Sequence, residues 1–400
     1  MMSLDPEHTY FSDNITKETI FNGHGSKQRL VIPCRPGKKM YIISTSLLTG
    51  KIKNMLFFLL CFFLWSTAKG QTSRLFESDE IVEFTLQCDL KSVLRDRGDD
   101  PQYHEAALHY QTSQTTFDIP VRIRTRGHFR KIPSNCKYPP LYLNFAKSTT
   151  PEASLFHGQD KIKLVTPCRG DQYVIQEYLV YKLYNLITPG SFMARLVKVI
   201  YHDNVKNKSS DPYYGILLEE EKQMAKRNKS FVVEIEGLRP EDTRKEDFLK
   251  MAVFQYMIGN TDWSVQYLQN IILIKDDSSK LPITVPYDFD HAGIVRAPYA
   301  NPAPELKLSS TLQRRYRGYC MSEMDQLNTV FETFYQLKDD FYAIYEDNPL
   351  LSNSYINQTL NFLDQFYETI NDSKKAEKEF SYPCDEFGTG KIVIKGLKKD

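Results

Sequence analysis

Residues 254–293 read FQYMIGNTDWSVQYLQNIILIKDDSSKLPITVPYDFDHAG, and the fold turns on how this stretch pairs with itself. Two apolar runs, IILI from 271 and PITV from 282, flank the polar segment KDDSSK, which is a hairpin or tight-loop signal. An antiparallel pair closed there brings its far ends together. Asn270 then falls near Asp288 and Asp290, and Asp262, just ahead of the first strand, reaches the same end. Carboxylates and an amide gathered at one spot make a hard-oxygen site suited to Mg²⁺ or Mn²⁺.

The whole chain sets bounds on that reading. Its 400 residues allow roughly two to three domain-sized units or one large two-lobed protein. An apolar fraction of 41% permits a large core and excludes global disorder. The net charge of +1 supplies no field for nucleic acid, which is not expected as a partner.

A targeting signal is expected well inside the N-terminus. Met55 to Trp65 reads MLFFLLCFFLW, with Lys51 and Lys53 before it and Ala68-Lys69-Gly70 after it. A basic segment, an apolar segment and a small-x-small site make a secretory signal peptide over 55–70, cleaved near Gly70. The run is short for a bilayer span, so no stable membrane span is expected after cleavage. Residues 1–54 then read as a non-native or disordered extension, with Met40 or Met55 as initiator. A short cytoplasmic tail with an uncleaved anchor is the alternative. Export, to the periplasm, cell envelope or medium, permits disulfides. Five cysteines remain beyond the signal: Cys88, Cys136, Cys168, Cys320 and Cys384. An odd number leaves at least one thiol unpaired, and the spacings match no zinc pattern. One or two bridges and buried free thiols both remain open.

The mature chain divides into a β-rich lobe at 72–238, a helical lobe at 239–375 and a tail at 376–400. IVEFTLQCDL and TTFDIPVRIRT alternate with the strand period, the second placing Val121, Ile123 and Thr125 on one face and Arg122, Arg124 and Arg126 on the other. YPPLYLNF and KIKLV are further short strands. At 173–187 the period becomes helical and stops at Pro189-Gly190. MARLVKVIYHD and YYGILLEEE form a hairpin. Beyond 239, a helix N-capped by Asp242 or Thr243 leads into the central stretch, and amphipathic helices are expected over 321–337, 338–345 and 354–370.

GNTDW, the later Asn270 and PYDFDHAG together resemble the CotH-like (spore-coat) atypical protein kinases, and in particular an exported Bacteroidetes-type subgroup. The resemblance runs from about Val121 to about Ile370 and takes in RTRGHFR, KIKLVTPCRGDQYVIQEYLVYKLYN and YYGILLEEEKQMAKRN. It implies an α+β, two-lobed atypical kinase-like fold that transfers a phosphoryl group from ATP to a protein hydroxyl with Mg²⁺ or Mn²⁺. Phosphoryl transfer asks mainly for positioning and charge neutralisation. By that likeness Asp262 is the catalytic acid at the acceptor hydroxyl, and Asn270, Asp288 and Asp290 are metal ligands. Asp262 and Asn270 lie eight residues apart, against about five in a typical kinase catalytic loop, so Asn270 is alternatively a structural cap.

For the phosphates, Lys137 and Lys163 are equal candidates, with Glu177 on the following helix as the lysine's partner and Glu219 at an adenine- or ribose-contacting hinge. Arg124 and Arg126 are further candidates, and Gly127 stands in for the missing glycine-rich loop. Arg314, Arg315 and Arg317 are placed in a substrate segment. Two other classes stay open. Asp288-Phe289-Asp290 is also a D-x-D motif of nucleotide-sugar glycosyltransferases, which should show a βαβ nucleotide domain ahead of it. A non-enzymatic envelope binding or assembly protein on the same fold is the second.

Overall fold

The structure, a computed structural model, describes residues 17–20, 27–30, 74–146, 148–320, 324–386 and 388–389. The expected signal segment lies outside the described residues. The chain divides into units at 1–67 and 68–400. In the first, β1 (Lys17–Ile20) and β2 (Lys27–Leu30) pair antiparallel, Lys17 opposite Leu30. Everything below concerns the second unit.

Its first part is a closed, barrel-like sheet. β3 (Val82–Cys88) is followed by the short helix α1 (Leu90–Arg95), then β4 (His104–Gln111), β5 (Thr116–Thr125), β6 (Leu141–Phe145) and β7 (Lys161–Val165). Helix α2 (Asp171–Ile187) interrupts the series before β8 (Ala194–Asp203), β9 (Lys208–Ser209) and β10 (Tyr213–Leu218). Neighbours run β10-β7-β6-β5-β4-β3-β8, and β8 pairs again with β10, which closes the ring. All of these pairs are antiparallel except β3 with β8. Closure leaves the ring without an open edge. It also explains the alternation read in β5: Phe117, Ile119, Val121, Ile123 and Thr125 are buried, while the residues between them are more exposed. The barrel interior, filled by Phe84, Leu108, Ile119, Leu143, Ile162, Val199 and Leu217 among others, is one apolar core.

A second core lies outside the barrel. The outward residues Leu196, Ile216 and Leu218 join α2, which is buried almost all round, as expected of a helix that is apolar on every side. The same core takes in α4 (Lys245–Met257) and the later helices, so it draws on both sides of the boundary expected near residue 238. Between α2 and α4 lie α3 (Glu221–Arg227) and β11 (Phe231–Val233), the edge strand of a three-stranded sheet with β12 (Ile271–Lys275) and β13 (Ile283–Pro286). α5 (Asp325–Gln336), α6 (Lys338–Ala343), α7 (Asn353–Asn371) and α8 (Ser373–Phe380) follow, and β14 (Cys384–Asp385) pairs with β15 (Gly388–Thr389). The α4 N-terminus differs from expectation. Asp242 closes a 3-10 turn by accepting from the Arg239 N–H (2.8 Å), the Thr243 hydroxyl donates to Pro240 O, and α4 starts after Arg244 without a side-chain cap. Helix α8 had no place in the sequence reading. No helix among the described residues is long and apolar enough to cross a membrane.

Among the described residues two disulfides form, Cys136–Cys168 and Cys320–Cys384, and Cys88 is a buried free thiol. Arg314 and Arg317 are turned to backbone carbonyls. Arg314 donates to Met257 O and Phe362 O and lies over the Phe362 ring, while Arg317 donates to Thr261 O and Trp263 O (2.6 Å each). Both are spent on holding backbone carbonyls, and Arg315 is exposed.

Phe156 closes one end of the barrel. It is fully buried, stacks on Phe145 (5.1 Å) and meets Phe84 and Tyr110 edge-on. Phe156→Ala is expected to lower stability by about 3–5 kcal/mol. Urea unfolding checks this, and a loss under 1 kcal/mol would show that the barrel end is not packed as described.

Candidate active site

The central hairpin forms as its sequence indicates. Ile271 faces Pro286 in the β12–β13 register, and the Tyr287 N–H donates to Asn270 O (3.1 Å), so Asn270 and Asp288 leave the hairpin at one end. A second crossing locates Asp262. Gly293 N–H donates to Gly259 O (3.1 Å) and Ile294 N–H to Ile258 O (3.0 Å), tying GNTD to DFDHAG. The approach demands glycine: a Cβ on Gly293 would stand 2.2 Å from Thr311 O. In DFD, Phe289 is fully buried against Tyr181 (4.8 Å) and Phe254 (5.8 Å), while Asp288 and Asp290 on either side of it line a cavity.

That cavity, of ≈ 480 Å³, is lined by Asp262, Asn270, Asp288, Asp290 and His291 on one side and by Arg124, Arg126, Tyr142 and Lys163 of the barrel on the other. Four of the predicted site residues therefore meet Lys163 at one place. Asn260 braces Asp262 by accepting its N–H (3.0 Å), and its own carbonyl accepts the Trp263 indole N–H (3.2 Å). The Asn270 amide nitrogen donates to Asp262 O (2.8 Å) and Oδ2 (3.1 Å), which leaves its Oδ1 free to accept. Asn270 and Asp288 both sit in the left-handed region, φ +52° and +60°. Asn and Asp tolerate this better than most residues, and such backbone concentrates at functional sites.

Three predicted residues serve otherwise. Lys137 is exposed, lies over the Tyr138 ring (4.9 Å) and does not line the cavity. Glu219 is buried, accepts from the Met193 N–H and from Arg227 Nε and Nη2, and does not line the cavity. Glu177 does not pair with a lysine. Its Oε2 accepts from Arg130 Nη2 (2.7 Å), and the same Arg130 reaches Asp290 Oδ2 through Nε (3.0 Å) and Nη2 (2.8 Å). Lys163 instead pairs with Glu221 (2.6 Å), over the Tyr287 ring (4.8 Å). An arginine thus replaces the expected lysine–glutamate pair. Nothing in RTRGHFRKIP marks Arg130 apart from its neighbours, because its role depends on the 126–140 connection folding back. The Cys136–Cys168 bridge ties that connection to the approach to α2, which carries Glu177.

Electrostatics show what the site lacks. One guanidinium serves two buried carboxylates, and Glu177 Oε1 has no partner among the described residues. No donor among them reaches the Asp288 carboxylate, whose backbone N–H is held by Tyr181 (2.9 Å). Burial, then Asp290, pushes Asp288 above the usual carboxylate range; burial does the same to Glu177. Burial also raises Asp262, toward the range of a working base. For Asp290, burial is outweighed by Arg130, which keeps it low and ionised. Excess buried negative charge with free oxygens on Asp288 and Asn270 suits a divalent cation. Asp290 is already taken by Arg130 and is the poorer ligand, against the sequence expectation. No group of three or more His, Cys, Asp or Glu side chains arranged around a point occurs among the described residues, so any cation here would complete its shell with Asn270, a ligand or water.

No protein-family model matches the sequence, and no curated protein matches it. Among solved structures, one weak neighbour is the Helicobacter pylori proinflammatory kinase CtkA, with TM-score 0.35 and 12% identity over 60% of this chain and 92% of that one. A likeness of that size does not define a fold or an activity.

Two outcomes test the charge arrangement. Arg130→Met leaves two buried carboxylates unpaired and is expected to cost about 3–5 kcal/mol at neutral pH. The loss should shrink at low pH, where those carboxylates take up protons. Asp288, Glu177 and Asp262 have raised native pKa values, so their contribution is present below their ordinary values of 3.8 to 4.5 and is lost as pH rises through the native ones. Asp290 acts in the opposite sense, losing its contribution as pH falls. Metal-free protein is therefore expected to melt lower at pH 8 than at pH 5.5, and Mn²⁺ to raise Tm more at pH 8. A flat profile with no Mn²⁺ effect would contradict the assignment.

Proposed function

We propose that the cavity catalyses transfer of a phosphoryl group from ATP to a protein hydroxyl, on a two-lobed, CotH-like atypical kinase arrangement. The observation that carries this reading is the meeting of Asp262, Asn270 and the DFD acids with the cationic wall of β5 and β7 in one pocket of ligand size. Asp288 and Asn270 Oδ1 are the residues to hold a divalent cation, which would neutralise charge on the transferring phosphates. Asp262 accepts the acceptor hydroxyl's proton as the oxygen attacks the γ-phosphorus; the bond to the bridging oxygen breaks and ADP leaves. Asn270 aims Asp262, and Arg130 fixes Asp290 and α2 as the frame. The antiparallel barrel ahead of the hairpin lacks the βαβ units that a nucleotide-sugar transferase calls for. Two disulfides support reading the chain as an exported protein in an oxidising compartment.

The test is a thermal-shift titration with ATP, UDP-sugars and no nucleotide, with and without Mg²⁺ or Mn²⁺, followed by a phosphate-transfer assay. ATP with metal should raise Tm, and Asp288→Asn should abolish the metal-dependent part. Asp262→Asn should keep ATP affinity within threefold while lowering turnover by about 10²-fold or more. A shift with a UDP-sugar alone would favour the D-x-D transferase, and no shift with any nucleotide would favour a binding or assembly protein.

A further inference from the structure

The outward face of β5 and the residue just past its end carry a row of arginines at every second position, Arg122, Arg124 and Arg126, spaced about 7 Å apart along an extended chain. Aromatic rings interleave with them. Arg122 lies over Tyr103 (5.3 Å), Arg124 over Tyr103 (4.9 Å) and Tyr142 (5.4 Å), and Arg126 over Tyr142 (5.2 Å). Stacking of this kind holds guanidinium planes in place without neutralising them.

The row is not uniform. Arg122 is exposed and spent on Asn144 Oδ1 (2.8 Å). Arg124 and Arg126 line the cavity, and the buried Nε of each has no partner among the described residues. The other arginine and lysines of the cavity wall are occupied: Arg130 by Glu177 and Asp290, Lys163 by Glu221, Lys131 by Gly98 O. Arg124 and Arg126 form no ion pair among the described residues. A guanidinium whose buried Nε lacks an acceptor is suited to receive an anion. Burial works against charge on Arg126, and Tyr142 and then Asp288 more than offset it.

We propose that Arg124 and Arg126 clamp a chain of linked phosphates, the di- or triphosphate part of the donor. The identification of that chain with a nucleotide donor rests on the kinase reading; the anion site does not. Two forks held a strand-step apart fit neighbouring phosphates better than one orthophosphate, and their fixed planes lower the ordering cost of binding.

Calorimetry with inorganic tripolyphosphate, without metal or nucleoside, tests the clamp directly. Wild-type protein should bind it more tightly than orthophosphate, with affinity falling as salt rises. The double variant Arg124→Gln/Arg126→Gln should bind at least tenfold more weakly, and Arg122→Gln within twofold of wild type. If the glutamine pair does not fold, Arg124→Lys/Arg126→Lys keeps the charge and loses the forks, and should still bind severalfold more weakly. Equal binding by the double variant, or an equal loss in Arg122→Gln, overturns the proposal. The two readings fail separately. Arginine-dependent tripolyphosphate binding with no ATP transfer would leave the clamp and remove the kinase. Metal-dependent ATP binding that survives both substitutions would do the reverse.

Discussion

The site depends on Arg130 and the two carboxylates it joins. Glu177 comes from α2, Asp290 from the end of the central hairpin, and Arg130 from the connection between two barrel strands. A buried ion pair contributes little net stability, because desolvation consumes most of the Coulomb gain. Its effect is on specificity of arrangement: three elements from distant parts of the chain can satisfy their charge only in one relative position. Once Asp290 is taken in this way, Asp288 becomes the acid with free oxygens. The division of labour between two aspartates two residues apart follows from which one the arginine reaches.

Around that triad, packing and crossings do the positioning. The closed barrel turns alternate residues of β5 inward to fill its core, which necessarily turns Arg124 and Arg126 out toward the cavity. The Gly259–Gly293 crossing brings the loop holding Asp262 against the DFD segment, and Phe289 in the second core turns its flanking acids to the opposite side. The cavity has two chemically different walls as a result, one acidic with the Asn270 amide and one cationic and aromatic.

Much of this was legible in the chain. The hairpin over 271–286 could be read because two apolar runs and a polar turn are local features, and period-2 alternation in 116–125 is visible without partners. What was not legible depended on contacts distant in sequence. Glu219, Glu220 and Glu221 look alike as a run, yet one is buried on Arg227, one accepts the Gln223 N–H at the start of α3, and one neutralises Lys163. Arg314 and Arg317 look like a substrate-binding cluster, yet Arg317 holds carbonyls of the loop beside Asp262 and Arg314 holds those of Met257 and Phe362. A charged side chain's role is set by what comes within a few ångströms of it, and composition does not record that.

The sequence by itself determined most of the barrel strands though not β4, the hairpin, the acidic and amide residues at its end, and the two faces of β5, because side-chain periodicity and turn chemistry act over a few residues. Only the tertiary structure decided that the sheet closes into a barrel, that Arg130 rather than a lysine meets Glu177, and that Asp290 is held while Asp288 is not. The physical reason is range. Hydrophobic alternation is a local property of the chain, whereas the pairing of buried charges depends on which distant segments exclude water together.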